Sequence, residues 1–130
     1  EGWGDASALV YSRTQRRAEE LVERFKVKSA VARSAESAVE NATLVVNATP
    51  VGLKDDTVPV SVHELAKDAA VLDLAYRLNE TAFVKDARER GHRAQDGITM
   101  LVEQGALAFE RWFGKQPDRD AMWNAIKALR

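Results

Sequence analysis

The 130-residue sequence contains no cysteine. That absence excludes a disulfide framework, a thiolate nucleophile and any cysteine-based zinc site. Histidine is scarce as well. His63 and His92 have no partner at metal-ligand spacing, and both are assigned to the surface; no metal is expected. Neither sign of charge is in excess, with 19 basic against 20 acidic residues and a formal net charge of -1. This balance offers no global attraction to nucleic acid or to anionic lipid. No apolar run approaches the length needed to cross a bilayer, and the start carries no signal-peptide pattern. Repeats, low-complexity segments and long linkers are also missing. What remains is the composition of a soluble, cytoplasmic protein of one ordinary domain, 45% hydrophobic and 30% charged. The opening Glu1-Gly2-Trp3-Gly4-Asp5 has no initiator methionine and leads almost at once into a strand, so it reads as the tail of something longer.

Apolar runs alternate with helical periodicity along the chain. Residues 6–12 read as a buried strand behind a Gly/Asp turn, and 43–47 (Thr-Leu-Val-Val-Asn) as a firm one, continuous and β-branched. A third strand is expected over 69–76 and a weaker one over 27–31. Helices are expected over 13–25, 34–41, 81–90, 99–113 and 118–129, with a helical turn in 62–67. Ser12 or Thr14 is a plausible N-cap for the first. Gly91 closes the helix at 81–90, and Gly114 with Pro117 stops the long one. Continuous apolar strands alternating with helices indicate a parallel sheet covered on both faces. Trp3, Trp112 and Trp123 are most simply packing residues.

In such a sheet, ligands bind at the carboxyl ends of the strands. Here those ends hold Ser12-Arg13-Thr14, Asn47-Ala48-Thr49 and Asp73-Leu74-Ala75-Tyr76. Arg13, Arg16 and Arg17 gather near a helix N-terminus, where the helix dipole favours negative charge. An anion would relieve that conflict, and arginine forks suit phosphate oxygens; the plain alternative is a solvated first helical turn. In a dinucleotide-binding sheet an acid at this position favours NAD and basic residues favour the 2′-phosphate of NADP. No carboxylate appears here before Glu19. Asn47 and Thr49 offer an amide and a hydroxyl to a ribose, although a plain turn accounts for them nearly as well. Tyr76 offers a phenol at a strand end or simply packs there. The Gly-x-Gly-x-x-Gly loop of dinucleotide-binding proteins is found nowhere in the sequence.

Asp96-Gly97 is a turn pair leading into the long helix, and Gln104 lies in the middle of that helix. Its neighbours three and four residues away are Met100, Leu101, Leu107 and Ala108, all apolar. An amide on such a stripe must find partners in the protein, the commoner outcome, or in a ligand.

Taken together, Ser12-Arg13-Thr14-Gln15-Arg16-Arg17, Asn47-Ala48-Thr49-Pro50-Val51-Gly52, Asp73-Leu74-Ala75-Tyr76 and Asp96 to Ala106 resemble the C-terminal, NADP-binding part of shikimate dehydrogenases. The segments stand in the family's order and cover essentially the whole chain. The resemblance implies an incomplete Rossmann-like, doubly wound α/β sheet over 1–95, with C-terminal helices over 96–130 that return toward a substrate domain. It implies reversible NADP-dependent reduction of 3-dehydroshikimate to shikimate, in aromatic amino-acid biosynthesis. Arg13, Thr14 and Arg17, with Ser12 in place of the family's usual Asn, would bind the 2′-phosphate. Leu74 and Gly97, with Met100 nearby, map to nicotinamide contacts, and Tyr76 and Gln104 to positions that contact shikimate. The usual Pro two residues after the tyrosine is replaced by Leu78, whereas Thr81 matches.

The resemblance also implies what is missing. The family's catalytic Lys and Asp, its substrate loop, and its first Rossmann strand with the Gly-rich turn have no counterpart here, so the 130 residues alone are expected to be inactive. In the order 3-2-1-4-5-6 the missing strand is central. The strands at 8–12 and 43–47 should then expose unpaired edges. Those edges either pair directly or are filled by another segment or chain, a homo-oligomer being one such arrangement. Without its partner domain, Gln104 is expected to be exposed or taken up by a neighbouring chain. A quinate/shikimate dehydrogenase and a non-catalytic nucleotide-binding or oligomerisation module are the alternative readings.

Overall fold

The computed structural model describes residues 6–25 and 28–129. The opening residues with Trp3, the start of the expected strand at Val27, and Arg130 lie outside the described residues. In order the elements are β1 (Ala8–Val10), α1 (Gln15–Phe25), β2 (Ser29–Val31), α2 (Ala35–Val39), β3 (Leu44–Asn47), a 3-10 turn (Val62–Glu64), β4 (Ala70–Asp73), α3 (Ala82–Glu89), β5 (Ala94–Gln95), α4 (Ile98–Phe113) and α5 (Arg119–Leu129). No described helix is long and apolar enough to cross a membrane.

Every strand pair is parallel, as continuous apolar runs separated by helices require. The strands form two sheets, β1-β2 and β3-β4-β5. β1 and β3 do not pair with each other, so of the two outcomes expected for the open edges, direct pairing does not occur. A cavity of about 140 Å³ separates them, with Leu9 and Tyr11 on one side and Leu44, Val46 and Asn47 on the other. The order β2-β1, gap, β3-β4-β5 is a doubly wound sheet interrupted at its centre.

The main core joins α2, one face of β3 and β4, the 3-10 turn and α3 through Val39, Val45, Val62, Leu65, Val71 and Phe83. Cover on both faces, expected from the apolar runs, is not achieved along the gap. Val45 is buried, but Leu44 and Val46 are 48% and 47% exposed and Leu9 is 55% exposed. A strand needs a neighbour on each edge and a layer on each face to be enclosed, and β1 and β3 each lack an edge neighbour among the described residues.

The helix boundaries follow local chemistry. Ser34 and Ser37 form a reciprocal capping box at α2, Thr81 caps α3, and Gly114 ends α4 with a left-handed φ of 63°. Elsewhere the structure departs from the expectations. β5, which the sequence does not announce, is a strand of only Ala94–Gln95, too short and polar to carry a period. It is held by β4 and by the Arg88 guanidinium donating to the Ala94 carbonyl. His92 is buried rather than on the surface, with Nδ1 at 3.0 Å from the Ala69 carbonyl oxygen. His63 is exposed as expected. On α4 the buried face is Ile98, Val102 and Ala106, one helical turn apart, and the stripe around Gln104 is the exposed one, with Met100 at 41% and Leu107 at 60%. Trp123 is half-buried, whereas Trp112 stands 76% exposed and is not a packing residue within the chain. α4 and α5 are clasped by Arg119, which reaches Glu103 at 3.3 Å and Glu110 at 3.2 Å.

Phe83, 1% exposed at the centre of the core, should cost about 3–5 kcal/mol on truncation to Ala, through lost transfer energy and the cavity left behind. Trp112→Ala should stay within about 0.5 kcal/mol, as surface changes do. Urea denaturation of both variants measures the contrast.

Candidate functional site

The parallel register sets Asn47 beside Asp73 at the carboxyl ends of β3 and β4. Both are buried, Asn47 at 3% and Asp73 at 0% exposure, so each must be satisfied within the protein. Asn47 Nδ2 donates to Asp73 Oδ1 at 2.8 Å and to the Val51 carbonyl at 3.1 Å. Its Oδ1 accepts from the Thr49 amide and the Thr49 hydroxyl, at 3.0 and 2.7 Å. Asn47 thus has its amide fully engaged in shaping the loop that follows it. Thr49 is exposed at the loop's surface.

Asp73 also accepts from the Ala75 amide at 3.0 Å and from the Thr81 hydroxyl at 2.7 Å. The next loop, carrying Leu74 and the exposed Tyr76, therefore starts and ends on the same carboxylate. Gly97 is packed against this loop: its amide donates to the Ala75 carbonyl at 3.1 Å, and a Cβ placed on it would lie 2.3 Å from the Leu74 carbonyl oxygen. Only a residue without a side chain permits that approach. Asp96, also buried, accepts from the Ile98 amide at 3.1 Å at the start of α4. Leu74, Gly97 and the Asn47 loop are thereby brought to one edge of the sheet. Met100 and Gln104 follow on the exposed face of α4, and the Gln104 side chain has no hydrogen-bond partner among the described residues.

Across the gap, the carboxyl end of β1 holds the second group. The Ser12 hydroxyl accepts from the Thr14 amide at 3.3 Å and opens the turn into α1. Arg16 is paired with Glu20 at 2.8 Å on the exposed helix surface, which answers part of the dipole conflict within the chain. Arg13 and Arg17 form no ion pair among the described residues, and no acidic residue occupies the first turn of α1. A cleft beside Arg13 is lined by Tyr11, Ser12, Gln15 and Arg33, and Arg17 is not among its lining residues. Sequence reasoning misses Arg33, whose only signal is its place just after a short strand.

An outer contact braces the Asn47 side. Arg77 donates to the Asp55 carbonyl at 3.2 Å and pairs with Asp56 at 2.6 Å, tying the tip of one loop to the next. Hydrogen bonding from Thr57 holds the exposed Asp55 carboxyl below its ordinary value. Among the described residues no catalytic Lys–Asp pair stands at this edge.

The sequence model described as "Shikimate 5'-dehydrogenase C-terminal domain" matches residues 97–127, the segment that begins at the closely packed glycine and runs through α4 into α5. A shikimate dehydrogenase (NADP(+)) of Thermus thermophilus is 41% identical over 91% of this chain. The chain belongs to the shikimate dehydrogenase family. It spans about half the length of the curated relatives it matches, 44% of that one. Two solved structures superpose closely. A shikimate 5-dehydrogenase of Thermus thermophilus, in complex with NADP(H) and shikimate, has a TM-score of 0.81 at 36% identity, covering 94% of this chain and 46% of that one. A quinate dehydrogenase from Corynebacterium glutamicum, in complex with NAD, has a TM-score of 0.79 at 30% identity, over 96% and 47%. The chain has the Rossmann-like architecture that the family resemblance implies.

Gly97→Ala should destabilise the protein by about 1–3 kcal/mol, since the new methyl meets backbone rather than a yielding side chain. Thermal unfolding against Gly91→Ala, where a Cβ meets nothing within 4 Å and φ is the only strain, separates packing from conformation. The Asp55 turn is fully favourable above the ordinary carboxylate range and is lost as pH falls through the lowered value. Acidification should therefore release the Thr57 amide, seen as a lower protection factor there once the slower intrinsic exchange in acid is divided out.

Proposed function

We propose that this chain is the NADP-binding part of a shikimate dehydrogenase, a cytoplasmic enzyme interconverting 3-dehydroshikimate and shikimate in aromatic amino-acid biosynthesis. The observation that carries the reading is the 41% identity to an NADP(+) enzyme over 91% of this chain, together with Arg13 and Arg17 near the start of α1, which form no ion pair among the described residues. On this reading residues 1–95 form the cofactor part and 96–130 the helices that lead to a substrate domain.

The donor set fits the cofactor. Arg13 and Arg17 present guanidinium forks to a 2′-phosphate, and Ser12 and Thr14 add hydroxyls beside them. Asn47 acts from inside its loop, leaving Thr49 and the loop backbone to meet a ribose. Leu74 and Gly97 supply the flat, tightly packed wall against which a nicotinamide would lie, with Met100 at its rim. Tyr76 and Gln104 offer polar groups to the substrate. When bound, NADPH supplies hydride to the ketone carbon, and the oxygen then needs a proton donor. None of the residues gathered at this edge is placed for that task. On this reading the 130 residues alone do not oxidise shikimate.

The second reading is a quinate/shikimate dehydrogenase, favoured by the likeness to a quinate dehydrogenase. That protein's structure holds NAD, whereas the arginines here favour a 2′-phosphate. Self-association through the open edges of β1 and β3 is a further part of the proposal, and light scattering coupled to size exclusion reads it directly.

The cofactor assignment is tested by titration with NADPH and NADH. NADPH should bind at least about tenfold more tightly, and Arg13→Ala or Arg17→Ala should each remove about 1.5–3 kcal/mol of NADPH binding while leaving NADH unchanged. Equal affinity for the two would overturn the 2′-phosphate assignment. The 130 residues alone should give no NADP-dependent shikimate oxidation.

A further inference from the structure

Asp73 has a place in the site that its position in the sequence does not announce. It is fully buried at 0% exposure, and no cation forms a salt bridge with it among the described residues. A buried carboxylate in that state depends on hydrogen bonds. Asp73 receives three, and they come from three different parts of the chain. Asn47 Nδ2 reaches Oδ1 from the end of β3, the Ala75 amide reaches the same oxygen from the adjoining loop, and the Thr81 hydroxyl reaches Oδ2 from the cap of α3. Every other polar atom of the cluster is engaged. Asn47 Oδ1 holds Thr49, Thr49 Oγ1 accepts from the Val51 amide at 3.2 Å, and Thr81 Oγ1 accepts from the Val84 amide at 3.4 Å. No buried side-chain polar atom is left without a partner among the described residues.

We propose that Asp73 is the positioning residue of the site. Its carboxylate joins loop 47–52 to loop 74–81 and to the N-terminus of α3, so that the two loops facing the cofactor are held and released as one unit. The two oxygens divide the work. Oδ1 is shared between the loops, and Oδ2 anchors the far end of the second loop. Because Asn47 Nδ2 also donates to the Val51 carbonyl, a shift of the carboxylate is transmitted into the first loop through a single planar amide. Asparagine at 73 would keep the Oδ1 bonds only by turning its Nδ2 to Thr81 Oγ1, which reverses the direction of that hydrogen bond. The coupling itself needs no ligand; only its consequence for binding rests on the NADP reading above.

Thr81 provides the test, because it makes no hydrogen bond to loop 47–52. Thr81→Val keeps the side-chain shape and removes the bond to Oδ2. Hydrogen exchange of the chain should then quicken at the Thr49 and Val51 amides by about tenfold or more, as well as at Ala75 and Val84. Thr81→Ser, which retains the hydroxyl, should restore the original rates. Exchange that quickens only from 81 into α3, with 49 and 51 unchanged, would overturn the coupling. Should the valine variant fail to fold, Asn47→Ala perturbs the cluster from the opposite side. Faster exchange at Ala75 and Gly97 supports the proposal, and an effect confined to 47–53 refutes it. In the same variants NADPH affinity should fall several-fold with Thr81→Val and recover with Thr81→Ser. A wild-type chain that binds no NADPH would remove the cofactor reading while the exchange result still decides the coupling.

Discussion

The hydrogen bonds converging on the Asp73 carboxylate hold together everything at the carboxyl edge of the larger sheet. β3 and β4 are brought into register by their backbones, and that register alone places Asn47 opposite Asp73. Once side by side and enclosed, the two groups must satisfy one another, because an unpaired buried polar group is expensive. The loops that leave the strands inherit their shape from this requirement. Gly97 then closes the edge by bringing α4 against the backbone of Leu74, at a distance that any Cβ would prohibit. The direction in which α4 leaves the sheet, and with it the location of Met100 and Gln104, follows from that contact.

The smaller sheet answers to a different constraint. β1 and β2 are short, and α1 covers them through Ala18 while Leu9 and Phe25 stay exposed. Among the described residues no strand ladder joins β1 to β3, and a cavity lies between them. Asn47 and Thr49 line the cavity between β1 and β3, whereas Arg13 lines a separate cleft beside the start of α1.

Much of this is legible in the chain before folding. The apolar runs at 43–47 and 69–76, the glycines at 91 and 114 and the cap at Thr81 identify their elements by local chemistry alone, and the observed boundaries lie within a few residues of those expected. The errors have a common origin. β5 and the buried His92 owe their states to β4 and α3, which are distant in sequence. The exposed stripe of Met100 and Leu107 has the pattern of a core face because helical periodicity tells which residues share a face and not which face is covered.

The sequence by itself determined the alternation of strands and helices, the parallel sense of the pairing, the strand ends at which polar residues collect, and, through its four matching segments, the family. These are local or pattern properties, set by backbone sterics, side-chain shape and periodicity. Tertiary structure decided which of those polar residues are engaged and which are free. Asn47 turned inward to Asp73, 26 residues away, while Arg13 and Arg17 remained without acidic partners among the described residues. It also decided that the sheet divides at β1 and β3. The reason is that satisfaction of a buried group depends on the distance and orientation of atoms remote in the chain, and only the packed backbone supplies these.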